Sequence, residues 1–82
     1  MGTLDTKSKI LRDAGYIYSF DREVYFNRRT KKIFSLEFIE DRTEQELQSC
    51  LNEKKEGEEW HFYFSYGDPS DTVKHEIQSV LE

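Results

Sequence analysis

A chain of 82 residues has room for one domain, residues 1–82, and buries only about 60–65% of its unfolded surface on folding, which makes for a thin core. Its formal net charge of −5, with 35% of residues charged, works against general affinity for nucleic acid or membrane surfaces. One cysteine excludes an internal disulfide and fits a reducing, cytoplasmic compartment, and no apolar run reaches the length of a signal peptide or a membrane span.

The first element expected is a short helix over 4–13, with Leu4, Leu11 and Ala14 on one stripe and Ile10 beside it. Lys7 interrupts that stripe, and Gly15 is placed to end the helix in the left-handed conformation. Three strands follow, near 16–20, 23–28 and 32–39, arranged as a meander. The first turn, Asp21-Arg22, lacks the glycine of a favoured two-residue hairpin turn. In the second, Asn27 and Thr30 can bond to nearby backbone. Thr43-Glu44-Gln45-Glu46 spells a capping box, in which threonine and glutamate satisfy two orphan amides reciprocally, and Leu47, Cys50 and Leu51 then form a narrow apolar stripe. A strand over 59–66 precedes a last helix opening at Asp68-Pro69, with Val73, Ile77, Val80 and Leu81 on its apolar side.

These elements predict an α+β domain of order α-β-β-β-α-β-α, in which a four-stranded, mainly antiparallel sheet carries its helices chiefly on one face. The twelve aromatics gather in the strand segments, and strand alternation sorts them into two faces. Val24, Phe26, Phe34, Leu36 and Phe38, with Trp60, Phe62, Phe64 and Tyr66, are expected to face the core. Tyr25, Ile33, Ser35, Glu37, His61, Tyr63 and Ser65 are expected on the uncovered face. For the first strand, either Tyr16, Tyr18 and Phe20 or Ile17 and Ser19 point outward.

Charge is segregated along the chain. Residues 22–32 carry Arg22, Arg28, Arg29, Lys31 and Lys32 against Glu23 alone, whereas residues 37–59 carry nine carboxylates against three cations. The acidic segment 53–59 lacks the spacing of a calcium loop and reads as a solvated connection. Cys50 on its apolar stripe reads as a small core residue, because a reactive thiol needs an electropositive setting. Neither His61 nor His75 stands at a spacing that makes a zinc site, and glycine-rich phosphate loops and nucleophile elbows are missing from the sequence. No catalytic residue, metal or cofactor is therefore expected.

Tyr25-Phe26-Asn27-Arg28-Arg29-Thr30 resembles the first hairpin of WW domains, but this chain has one tryptophan and lacks the closing proline. The order α-β-β-β-α resembles double-stranded-RNA-binding domains, which carry lysines where this chain has Glu44 and Glu46. No family follows from either match. The expectation is a small, acidic, non-enzymatic protein-interaction or regulatory module, acting through Tyr25, His61 and Tyr63 on the sheet and Arg28, Arg29, Lys31 and Lys32 on the hairpin. A protein partner or a second copy is favoured over single-stranded nucleic acid, which would stack on the tyrosines and bind its phosphates to the cations.

Overall fold

The structure, a computed structural model of the chain, describes residues 4–54, 57, 59–67 and 69–81. Helix α1 (Leu4–Asp13) leads into β1 (Ile17–Ser19), β2 (Val24–Asn27) and β3 (Lys32–Ser35). Two helices, α2 (Leu36–Asp41) and α3 (Glu44–Asn52), precede β4 (His61–Tyr63) and the closing helix α4 (Asp71–Leu81). The sheet order is β1-β2-β3-β4; the first two pairings are antiparallel and β3-β4 is parallel. The expected α+β class, element order and mainly antiparallel sheet are thus present, with one helix added.

That helix is α2. Alternation carries the third strand to residue 39, but the strand stops at Ser35, whose hydroxyl accepts a hydrogen bond from the Phe38 amide and caps a helical turn. Phe38 and Ile39 are buried on that turn, so a run that scans as strand is packed as helix. Gly15 behaves as expected. Its φ is +92°, the Tyr16 amide reaches back to the Leu11 carbonyl and the Gly15 amide to that of Arg12, which is the paired bonding of a Schellman end. The capping box of α3 is formed in full, with Thr43 and Glu46 each bonded to the other's amide at 3.1 Å. Asp68, the expected cap of α4, lies outside the described residues. The helix begins at Asp71, where the Ser70 hydroxyl accepts from the Val73 amide at 3.4 Å.

Both faces of the sheet are covered, and this is the main departure from expectation. On one side Tyr25 and Phe34 pack with Leu11 of α1, Phe38 and Ile39 of α2 and Leu47 of α3, with Tyr18 and Tyr63 at the margin. On the other, Val24, Phe26 and Ile33 pack with Trp60 and with Ile77 and Leu81 of α4. Val24 and Phe26 therefore face α4, whereas Phe34 faces the other way. Three helices on one face and one on the other leave β2 and β3 buried along their whole length. The contiguous apolar runs Val24-Tyr25-Phe26 and Ile33-Phe34 have that cause: a strand buried on both sides needs no polar alternation.

Three helices end on cations supplied from elsewhere. None of α2, α3 and α4 has a basic residue in its own last turn. Lys7, the interruption in the α1 stripe, is buried and donates to the Glu40 carbonyl of α2 at 3.0 Å. Lys32 is 2% exposed, and its ammonium donates to the carbonyls of Cys50, Leu51 and Glu53 at the end of α3. Arg28 donates through Nε to the Leu81 carbonyl of α4 at 2.8 Å. Each cation meets unpaired carbonyls at the negative end of a helix dipole, and ties that helix to the hairpin or to α1.

Candidate functional site

The β2–β3 turn sets the geometry. The Asn27 side-chain oxygen accepts from the Arg29 amide at 2.8 Å and the Thr30 amide at 3.3 Å, and the Lys31 amide donates to the Asn27 carbonyl at 2.8 Å. This closed, Asx-type turn holds Lys31 in the left-handed region at φ +59°. The Thr30 hydroxyl does not bond to the turn backbone; it meets the Tyr16 hydroxyl at 3.2 Å.

The turn separates the four expected cations. Arg28 goes to the α4 side, over the Phe26 ring at 5.2 Å and onto Leu81. Lys32 goes under α3 and is buried, contrary to the expectation of a solvent-facing charge. Arg29 is exposed, and Lys31 is half-buried with its ammonium 4.8 Å from the Trp60 ring centre. Arg29, Lys31 and Lys32 line a cleft of about 550 Å³ with Asn52, Glu53 and Lys54. An adjoining cleft of about 380 Å³ shares Arg29, Thr30, Leu51 and Asn52 and adds Ile10, Asp13, Ala14 and Tyr16. Among the described residues, no carboxylate forms an ion pair with Arg29 or Lys54, whereas Arg22, away from the cleft, pairs with Glu76 at 3.5 Å.

The expected tyrosine face is not a surface. Tyr25 is 7% exposed, packed between the sheet and α1, and its hydroxyl donates to Ser8 at 2.8 Å. Ile33 is fully buried on the α4 side and Ser35 is the α2 cap. Tyr63 stacks on Phe34 with ring centres 4.5 Å apart. Its hydroxyl is closed off from solvent beside the Glu53 carboxylate, without a well-formed hydrogen bond, and burial followed by that charge pushes the phenol up to about 12. His61 pairs in register with Lys32, and its Nε2 is likewise occluded without a partner. The expectation failed because it assumed one apolar face; α1, α2 and α3 cover the other.

The exposed aromatic rings lie elsewhere. Phe20, in the β1–β2 turn, is 85% exposed, and Tyr66, beyond β4, is 66% exposed. Strand directions put both at the end of the sheet opposite the cationic turn. Tyr16 and Tyr18 face the three-helix side and Ile17 the α4 side, which resolves the first strand.

Cys50 is half-buried against the three-helix core, and burial followed by the Glu53 charge raises its thiol pKa, the opposite of what a nucleophile needs. Among the described residues, no group of three histidine, cysteine or acidic side chains could hold a metal ion. Nor, among those residues, is any helix long and apolar enough to cross a membrane. Lys54, Asn52 and Leu51 are site residues that the sequence reading missed. Lys54 carried a signal, as a cation just beyond the end of a helix, but nothing in the sequence brings that end beside the β2–β3 turn. Comparison with known protein families, curated proteins and solved structures gives no match.

Proposed function

We propose that the chain is a non-enzymatic protein-interaction module, of a regulatory kind and suited to the cytoplasm, that engages an anionic stretch of a partner at the β2–β3 turn. One observation carries the reading: in a chain of net charge −5, Arg29, Lys31 and Lys54 gather on one cleft against the single carboxylate of Glu53, and neither Arg29 nor Lys54 is ion-paired among the described residues. Cations placed so are a local reversal of the molecule's field, which steers a negative segment to that end. The cleft offers no base-stacking platform, since Tyr16 and Trp60 are buried and the exposed rings are at the far end. Single-stranded nucleic acid, which depends on stacking as well as charge, is therefore the weaker fit.

The test is a titration of isotope-labelled protein with oligoglutamate and, separately, oligothymidylate, read by amide chemical shifts at low and physiological salt. Oligoglutamate should perturb Arg29, Thr30 and Lys54, and the double substitution Arg29→Glu, Lys54→Glu should remove the effect. If neither polyanion perturbs the turn, or oligothymidylate binds there more tightly, the reading is wrong.

A further inference from the structure

Resting on that reading, we infer that the smaller cleft is a side-chain pocket, so that the partner is an extended protein segment presenting an apolar residue two positions from a carboxylate. The two clefts are one two-lobed depression, because both are lined by Arg29, Thr30, Leu51 and Asn52. Their lobes differ in chemistry. The larger is cationic on balance, with Arg29, Lys31 and Lys54 outnumbering Glu53. The smaller is walled by Ile10, Ala14 and Leu51, all half-buried, with Ala14 and Leu51 packed at the margin of the three-helix core. Apolar surface left in this state gains free energy when another apolar group removes it from water.

Asp13 lines the smaller lobe and offsets the shared Arg29, so that lobe has no excess of positive charge to draw an acid away from the larger one. The acid is thus directed to one lobe and an uncharged side chain to the other, which fixes the direction in which the segment lies. In an extended chain, residues i and i+2 project to the same side about 6.5–7 Å apart, which suits adjacent lobes. The volumes, about 550 and 380 Å³, are each sufficient for a single side chain with its backbone. The turn that carries Arg29 and Thr30 is already closed by Asn27, so little ordering is required on binding.

The test compares two acetylated peptides of equal length and charge, one repeating leucine-serine-glutamate-serine and the other serine-serine-glutamate-serine, titrated against the labelled full chain. Both should shift the Arg29 and Lys54 amides. The leucine peptide should bind about tenfold more tightly and should alone shift Ala14 and Leu51. Asp13→Lys, at an exposed position, should narrow the difference between the peptides by strengthening the serine one. Equal affinities, with no shifts at Ala14 and Leu51, would overturn the pocket while leaving the cationic lobe in place. Absence of binding by both peptides would remove the proposed function as well.

Discussion

The flanks and the tip of one hairpin use the same residue types for opposite ends. On the flanks, Tyr25, Arg28 and Lys32 are consumed by the fold: a hydroxyl bonded to α1, a guanidinium on the end of α4 and an ammonium on the end of α3. At the tip, each one residue from a flanking cation, Arg29 and Lys31 border open space. What separates them is the supply of partners. Lys32 and Arg28 take the unpaired carbonyls at the ends of α3 and α4, whereas Arg29 and Lys31, although they line the cleft at the end of α3, bond to none of its carbonyls and remain available. A basic run in a small acidic domain therefore has to be divided by what each charge reaches before any of it is counted toward binding.

The largest effect expected from this contrast is at Lys32. Lys32→Met keeps much of the buried stem but removes the donor from three carbonyls at the end of α3. Leaving those acceptors unpaired should cost about 2–4 kcal/mol, measured by urea denaturation. A loss below about 1 kcal/mol would mean that water replaces the ammonium easily, and would place Lys32 with the tip residues instead. Tyr25→Phe and Arg28→Met should each cost about 1 kcal/mol, one hydrogen bond apiece. By contrast Arg29→Met should stay within about 0.5 kcal/mol of the parent while weakening the peptide contact.

Tyr63 sharpens the contrast by pH. Its phenol is pushed to about 12 from an ordinary value of 10.0, so the folded state holds that proton more tightly than the unfolded chain does. Between those values the folded form binds more protons, and stability must fall as pH rises. The contribution is fully present below about pH 10 and lost through pH 12. Tyr63→Phe should flatten this alkaline decline. A residual slope is expected, because Tyr16 and Tyr18 are also raised, in both cases first by burial. If the decline is unchanged in Tyr63→Phe, the hydroxyl is hydrated and the packing of β4 against Phe34 is looser than the stacked rings indicate. Slow labelling of Cys50 near neutral pH, set by its raised thiol pKa, is a companion check on the same margin of the core.

Helix ends and strand segments were legible where local chemistry determines them. Gly15, the Thr43 capping box and the Asn27 side chain each act through neighbours within five residues, and all three formed as the sequence implied, whereas Thr30, expected to bond the turn backbone, turns to Tyr16 instead. The second helix was not, because Phe34 and Phe38 satisfy a two-residue and a four-residue period equally, and only the Ser35 cap decides between them. Lys32 was misplaced for a different reason. Alternation does put it on the Phe34 face, but whether that face is wet depends on α3, eighteen residues further on. As for the site, Arg29 and Lys31 could be nominated from charge alone. Their partners across the cleft, Leu51, Asn52 and Lys54, are brought there only by the packing of α3 beside the turn.

The smallest effect concerns the backbone of the tip. Glu23 and Lys31 are the two non-glycine residues at positive φ among those described, +53° and +59°, a conformation in which side chains are disfavoured and glycine is not. Glu23→Gly, in the β1–β2 turn, should therefore stabilise the fold by about 0.5 kcal/mol, net of the extra freedom glycine gives the unfolded chain. Lys31→Gly relieves the same strain but also removes an ammonium 4.8 Å from the Trp60 ring, an interaction worth about 0.5–1 kcal/mol when partly desolvated. Its net change should accordingly lie near zero. The difference between the two substitutions is then a reading of the cation–ring contact. If Lys31→Gly stabilises as much as Glu23→Gly, that contact holds nothing, and the lysine is kept in a strained turn solely by what it offers to the cleft.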